Sequence, residues 1–485
     1  MDYRENILSP QGNSTDFVAR ERELEQLHNT LDRPSPSISV IYGRRRVGKS
    51  ALIRKALENR RSLDFEGLEN RPTSEQLSNF LLQFTKQTGV DVRRTSIRNW
   101  REAFLLLEPV LTERPACVVL DEFQWMANYR APIVSDLKMV WDQYLSRIKG
   151  VDLVLCGSIA SFMLKRVVKG SALYGRTDRV IHLREFSLAE SAQMLPAYGP
   201  DELLDSYMIL GGIPKYQELL RDYPSLYTAI EELAFRENGF LVDEYDRIFV
   251  SHFGRNDDYL RLVDALAGHP YGLSRDQLAT AAHVDRGGGL TRSLDDLESS
   301  GFIRSARPVG RPHNTRLVRY LLSDSYLRFF YSLMRPEMAA VRSGQSTTRF
   351  ASLVGRPIFH SWRGRAFELA CARHARRIAR ALGFHGIEYR FGPHFRAAKA
   401  ERKGVQIDLV FDRADNVLTL CEMKYSRQPI GKNVLTEMER KAALLTEEFP
   451  RKTIQNVLVY HGSVTAEVHR SPYLYKALDS SVLLS

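Results

Sequence analysis

Two short stretches hold residues whose types and spacing suit phosphate chemistry. The first is Gly43-Arg44-Arg45-Arg46-Val47-Gly48-Lys49-Ser50, which fits G-x-x-x-x-G-K-[ST]. An apolar run, Ser37 to Gly43, precedes it, and a helical pattern from Lys49 to about Asn59 follows. That strand–loop–helix setting lets the backbone N–H groups point at phosphate oxygens, and the helix N-terminus adds partial positive charge. The backbone from Gly43 to Ala51 is expected to cradle the phosphates, with Lys49 reaching the β- and γ-phosphates and Ser50 ligating Mg²⁺. Arg44, Arg45 and Arg46 fill the variable positions. They are free to project at a partner, at nucleic acid or at acids of this chain.

Such a loop needs acids. "CVVLDEF" supplies Asp121 and Glu122 at the end of an apolar strand. Asp121 is expected to hold Mg²⁺ through its water shell, and Glu122 to orient or deprotonate the attacking water. A solvated turn is the plain alternative for the pair. Ser158, emerging from "VDLVLCGS", is placed to sense the γ-phosphate or simply to cap a helix. Arg176 and Arg179 in "LYGRTDR" are either terminal-phosphate contacts, in this subunit or a neighbour, or surface arginines.

The second stretch is "GVQIDLVFDRADNVLTLCEMKYS", in which Asp408 precedes Glu422-Met423-Lys424. Its alternation about Asp415-Asn416 predicts a hairpin. Strand parity puts Glu422 and Lys424 on one face, where Asp408 from the antiparallel neighbour meets them. Glu368, on the helix "GRAFELACARHARRIARAL", adds a further acid. Glu368, Asp408 and Glu422 are candidate ligands for Mg²⁺ or Mn²⁺, with Lys424 positioning a water or neutralising a phosphate transition state. A cross-strand salt bridge is the structural alternative.

The elements that carry these residues change texture along the chain. The first ~240 residues alternate strands (Ser37–Gly43, Ala116–Phe123, Val151–Ser158, Arg179–Leu183) with helices such as Ser74–Thr88 and Ile133–Ile148. That predicts an α/β parallel sheet with helices on both faces. From about Asp257, three short helices and two strands around "PVGRPHN" describe a winged helix. Leu290–Ser300 would be its recognition helix, with Arg292 available. Arg304, Arg307, Arg311, Arg316 and Arg319 are wing arginines suited to phosphate contact. Asp295, Asp296 and Glu298 on that helix would oppose a groove. The arginines of "RHARRIAR" (Arg373, Arg376, Arg377, Arg380) would either track a nucleic-acid backbone or form a solvated face.

The chain has 485 residues, 44% hydrophobic and 26% charged, enough for several cores. Its net charge of +11 favours a polyanionic partner, nucleic acid first. No apolar run reaches the ~20 residues of a membrane span, and none reads as a signal peptide. Four scattered cysteines without zinc spacing read as buried thiols, and the expected location is cytoplasmic.

"FVARERELEQL", "YGRRRVGKSALI", "VVLDEFQWM", "LCGS", "LYGRTDRVIHL" and "YMILGGIPKY" occur in the order seen in the archaeal-type ATPase family of the P-loop STAND class, which this chain resembles over about residues 14–245. The resemblance implies an AAA-related ATPase core with a small helical lid. It also implies that Phe17 and Arg20 lie near the adenine and that Gly211–Tyr216 faces the nucleotide. Residues 355–465 resemble the PD-(D/E)xK nuclease core, which some members of that family carry. Here "QI" precedes the acid in place of Pro.

The expected organisation is an ATPase core (14–190), a helical lid (191–250), a winged helix (255–325) and a restriction-endonuclease-like α/β domain (355–485). The expected function is ATP hydrolysis coupled to metal-dependent cleavage of nucleic acid, with DNA the expected substrate. The partners are nucleic acid, no membrane, and a homo-oligomer as an option. The alternative is a nucleotide-switched scaffold or DNA-binding regulator whose nuclease-like domain binds without cutting.

Overall fold

Apolar runs ending in glycine or acids become the strands of the first of two units, Met1–Arg184 and Glu185–Ser485. The computed structural model describes residues 17–92, 95–128, 132–253, 256–311, 315, 317–346, 349–396 and 405–484, with backbone alone at 249–253. The wing residue Arg316 lies outside the described residues.

In the first unit five strands, β1 (Ser37–Tyr42), β2 (Ser62–Glu66), β3 (Cys117–Asp121), β4 (Asp152–Gly157) and β5 (Arg179–His182), form a parallel sheet in the order β2-β3-β4-β1-β5. The α/β class is as expected. β1 and β4 are buried along their whole length, because helices cover both faces of a parallel sheet. The strand order inserts β4 between β1 and β3. The ends of all three strands therefore meet at one carboxyl edge, where open α/β sheets bind ligands.

β2 was not anticipated, since "SLDFE" is short and half polar. It is an edge strand, and three glutamines finish it. Gln87, Gln83 and Gln76 accept from the N–H groups of Asp64, Glu66 and Leu68, and each donates back to the carbonyl of the same residue. They sit on the helix Thr73–Thr88. Their amides replace a missing neighbouring strand, which shields an otherwise sticky edge. The helix expected over Ile133–Ile148 runs from Pro132 to Gln143 and closes in a 3₁₀ turn at Leu145–Arg147.

The second unit begins with helices Leu188–Met194, Pro200–Leu210, Pro214–Leu220 and Leu226–Ala234. Three further helices, Asp257–Ala267, Arg275–Ala281 and Gly288–Ser299, precede an antiparallel pair, β6 (Ile303–Ala306) and β7 (Arg319–Leu322). The last region runs from the helix Pro357–Arg373 through β8 (Tyr389–Arg396), β9 (Val405–Arg413) and β10 (Val417–Tyr425). It continues through the helix Asn433–Glu448 to β11 (Thr453–His461) and β12 (Lys476–Asp479). The sheet order is β12-β11-β10-β9-β8, antiparallel on the β8–β9–β10 side and parallel on the β10–β11–β12 side.

The hairpin expected at Asp415-Asn416 is present, with Asn416 in the left-handed region that such turns need. The single helix expected through "RHARRIAR" is broken at His374 into Pro357–Arg373 and Ala375–Ala381. The four cysteines are free and buried, as expected. No helix among the described residues is long and apolar enough to cross a membrane.

Candidate phosphate and carboxylate sites

The loop after β1 can curl because its glycines are required. A Cβ on Gly43 would meet the Leu183 carbonyl oxygen at 2.1 Å, and Gly48 has φ +90°. Only glycine combines that close approach with left-handed backbone at low cost. Lys49 follows as the first residue of its helix, is 6% exposed, and donates to the Arg44 carbonyl at 3.1 Å. The Ser50 hydroxyl donates to Asp121 Oδ2 at 2.7 Å. The serine and the acid therefore meet, as two ligands of one cation must. Arg45 turns outward to Glu69 at 3.4 Å, one of the fates open to the arginines. Arg20 is buried and donates to the carbonyls of Val47 and Arg184, so it braces the loop from behind.

Glu122 sits in the left-handed region with φ 49°, a conformation that costs a non-glycine residue ~1–3 kcal/mol and recurs at functional sites. It turns the carboxylate back toward β4. There Glu122 accepts from the Ser158 hydroxyl at 2.7 Å and from the Gln124 amide. Gln124 also donates to Ser158 Oγ at 3.0 Å and accepts from the Ser158 N–H at 3.2 Å. Ser158 is thus a partner of Glu122 and not a helix cap.

Gln124 and Glu66 escaped sequence reasoning. Gln124 is an ordinary helix residue by pattern, and Glu66 belongs to the unanticipated strand. Glu66 lies opposite Asp121 in the β2–β3 register. Burial, then Asp121 and Glu122, push its carboxyl above the usual range. Arg176 makes a two-pronged pair with Asp142, at 2.7 and 2.9 Å. That bond, with help from Lys138, holds the Asp142 carboxyl below its ordinary value. Arg179 donates to Thr30 at 3.3 Å.

In the second unit the helix Pro357–Arg373 brings Glu368, β9 brings Asp408, and β10 brings Glu422 and Lys424. The pairing Cys421↔Leu409, continued one step, sets Glu422 opposite Asp408. Glu422 is 5% exposed, with Lys424 Nζ on Oε1 at 2.8 Å and Lys441 Nζ on Oε2 at 2.7 Å. Lys441, buried on the helix Asn433–Glu448, was missed because a lysine there reads as helix surface. Burial, then Asp408 and Glu422, raise the Glu368 carboxyl to about 7. Burial works against the Lys424 charge, but Glu422, Glu368 and Asp408 outweigh it and hold its pKa above the ordinary value.

Three carboxylates are the hard oxygen donors a divalent cation takes, and their mutual repulsion is what such an ion relieves. Among the described residues, however, no three Asp, Glu, His or Cys side chains are gathered closely enough to enclose a metal ion. The two lysines occupy Glu422 instead.

Two of the arginines between β6 and β7 and on β7 have partners within the chain. Arg311 pairs with Glu448 at 2.8 Å, and Arg319 stacks over Phe395 at 4.4 Å. Val309 is buried in the core of the C-terminal sheet, and its N–H donates to the Pro393 carbonyl. Arg311 and Arg319 thus have internal partners, and the segment after β6 is docked where Val309 enters that core. The acids of the adjoining helix also have internal work. Asp296 accepts from Tyr259 at 2.8 Å, and Glu298 from the N–H and hydroxyl of Ser305. Arg373 leaves the expected basic face as well, pairing with Glu185 at 2.9 Å and donating to the Ser323 carbonyl.

A polar cluster ties the helix Pro200–Leu210 to this region. Asp205 lies 3.7 Å from Arg363 and accepts from the Tyr425 hydroxyl at 3.2 Å. Arg363 stacks over Tyr425 at 4.3 Å, and Asp201 lies 3.4 Å from His461. Burial raises Asp205 to about 6 against the pull of Arg363 and Tyr425. In "GGIPKY", Tyr216 is buried and donates to Glu244, while Lys215 pairs with Glu218 at 2.9 Å.

The strand–loop–helix cradle, the acid pair and the sheet order define a P-loop ATPase core. The family described as "ATPase domain predominantly from Archaea" matches residues 17–220. The chain therefore carries an ATPase domain of that archaeal type over these residues. It is 26% identical over 332 residues to an uncharacterised protein, MJECL04, of Methanocaldococcus jannaschii, covering 68% of this chain and 71% of that one. It is 47% identical over 45 residues to the uncharacterised ATP-binding protein MJ0423 of the same organism, covering 9% and 76%. Among solved structures, the Walker-type ATPase PABY2304 of Pyrococcus abyssi aligns with 67% of this chain and 98% of its own, at 20% identity and a TM-score of 0.48. The Aeropyrum pernix ORC2 protein with ADPNP and ADP aligns over 68% and 98%, at 16% identity and a TM-score of 0.45.

Proposed function

We propose that this chain hydrolyses ATP and uses its nucleotide state to control metal-dependent cleavage of nucleic acid, DNA being the expected substrate. The convergence of Glu368, Asp408, Glu422 and Lys424 on one face carries the cleavage half of this reading. The order helix–β8–β9–β10–helix–β11 supports a PD-(D/E)xK-like core, and the three helices with β6 and β7 support a winged helix.

At the first site the loop backbone and Lys49 bind the triphosphate, and Ser50 and Asp121 are the side chains that would hold Mg²⁺. Glu122 takes the proton of the attacking water once Ser158 and Gln124 release it. At the second site Glu368, Asp408 and Glu422 would have to draw closer, and Glu422 give up a lysine, to hold Mg²⁺ or Mn²⁺, which would acidify water and offset charge on the leaving oxygen. Lys424 faces the phosphate oxygens. Lys441 holds Glu422 in place when no cation competes.

Coupling runs through the helix Pro200–Leu210. Asp205 grips Arg363, on the helix that carries Glu368, and Tyr425, beside Lys424. The family match extends to residue 220 and so includes this helix. A shift of the lid with nucleotide state would therefore move two elements of the carboxylate site. Arg176, now held by Asp142, becomes available to a terminal phosphate only if that pair opens.

The test is cleavage of linear, circular, branched and single-stranded substrates with ATP and Mg²⁺ or Mn²⁺. Cutting should vanish in Asp408→Ala and lose its ATP dependence in Lys49→Ala. Undiminished cutting by Asp408→Ala would sink the assignment. The lysine pair on Glu422 favours one second reading, a nucleotide-switched DNA-binding regulator. Binding without cleavage across the whole panel would select it.

A further inference from the structure

A cavity of about 120 Å³ lies against the helix Pro357–Arg373, lined in part by Arg328, Arg365, Trp362, Ser332 and His269. It is well below the ~300 Å³ of pockets for whole drug-sized ligands, and suits one small anionic group with its waters. Trp362 is 2% exposed, and its indole N–H has no hydrogen-bond partner among the described residues. A buried donor left unmade costs roughly 1–3 kcal/mol, so a bound acceptor is favoured there. Arg328 donates to the Arg365 carbonyl at 3.2 Å. Among the described residues, neither Arg328 nor Arg365 has a carboxylate within ion-pair distance. Arg304 and Arg373 add like charge: burial, then Arg304, Arg373 and Arg365, push Arg328 down to about 10 against the opposing pull of Glu368. Arg373 has Glu185 at 2.9 Å, but among the described residues Arg328 and Arg365 have only the more distant Glu368 against the crowding, and an anion between the two guanidinium groups relieves it.

We propose that this cavity binds a phosphoryl group, with Arg328 and Arg365 as its charge partners and the Trp362 indole N–H as a neutral donor. Trp362, Arg365 and Glu368 are three residues apart in turn, so they lie along one stripe of the helix. Arg365 and Glu368 differ by a rise of ~4.5 Å. The phosphoryl site is therefore one turn from the carboxylates. On the cleavage reading, on which this placement rests, it takes a phosphate neighbouring the one presented to Asp408 and Glu422.

The same chemistry could come from free phosphate or from nucleic acid, and one experiment separates them. The full chain, labelled with 5-fluorotryptophan, is titrated in EDTA and followed by fluorine NMR, with Trp362→Phe assigning the resonance. The titrants are inorganic phosphate, a 5′-phosphorylated oligonucleotide, the same oligonucleotide with a 5′-hydroxyl, and chloride at matched ionic strength. The Trp362 resonance should move saturably with phosphate and not with chloride. Arg328→Gln and Arg365→Gln should each weaken the response about tenfold or more. Preference for the 5′-phosphorylated strand assigns a terminal phosphate. An equal response to both strands, tighter than to inorganic phosphate, assigns a backbone phosphate.

No saturable shift with any titrant in the millimolar range overturns the proposal, as does an unchanged response in both arginine variants of confirmed fold. Asp408→Ala must leave the shift intact. Phosphate binding without any cleavage by the wild type would sink the nuclease reading and leave this site standing.

Discussion

The two candidate sites hold their acids in opposite ways. At the loop after β1, Asp121 is bonded by a serine hydroxyl and Glu122 by a serine and an amide, all neutral groups. At the C-terminal sheet, Glu422 is bonded by two lysines. Neutral donors satisfy the lone pairs of a carboxylate and leave its charge for a cation. Lysines cancel the charge, and a cation must then displace one of them. The first site is electrostatically ready for Mg²⁺. The second is locked by the pairing of Lys424 and Lys441 with Glu422.

The largest expected effect lies at the ready site. Lys49→Ala should lower ATP turnover on the order of a hundredfold or more, read as phosphate release. It should leave the phosphate response at Trp362 unchanged, and loss of both together would break the distinction between the sites. Glu122→Gln should slow turnover about a hundredfold yet keep ATP bound, as equilibrium binding of a labelled analogue would show.

At the locked site, Lys441→Met removes one partner of a buried ion pair and should cost about 3 kcal/mol or more in urea unfolding. An unchanged midpoint would mean that Lys441 does not hold Glu422. Glu368 provides a pH signature of the same site. Its carboxyl is raised from the usual 4.5 to about 7. The protonated form is therefore favoured by folding, and the stability it brings is complete below about 4.5 and is lost as pH rises through 7. Melting curves of metal-free protein should show that loss in the wild type, on the order of 2 kcal/mol. Glu368→Gln should flatten it. A wild-type curve already flat between those limits would refute the clustering. The smallest effect is Tyr425→Phe, which removes one hydrogen bond to Asp205 and should cost roughly 1 kcal/mol. Its sharper readout is ATP dependence of cleavage, which should weaken while ATPase turnover persists.

Both sites were readable in outline because each is written locally. Gly43, Gly48, Lys49 and Ser50 are neighbours in sequence, and Glu422 with Lys424 follows from strand parity alone. The residues that hold the acids were not readable. Ser158 was visible only as an end-of-strand hydroxyl, Gln124 and Lys441 looked like helix surface, and Glu66 lay on an edge strand too short and polar to announce itself. The internal partners of the β6–β7 segment were unreadable for a related reason. Five arginines and no acid read as an exposed basic surface, but Val309 at its tip is apolar, and burying it turned Arg311 and Arg319 onto Glu448 and Phe395. Composition reports charge; it does not report which side of a segment meets a core.

The sequence by itself determined the chemistry on offer: a curled glycine loop with its lysine and serine, an acid pair at a strand end, and a carboxylate–lysine set on a hairpin. These depend on backbone geometry over a few residues, which residue type largely dictates. Only the tertiary structure decided how those groups are held, by hydroxyls and an amide at one site and by lysines at the other. It also placed Trp362, Arg328 and Arg365 around a common cavity. Such contacts join residues tens to hundreds of positions apart, and their strength depends on burial, which exists only once the cores have closed.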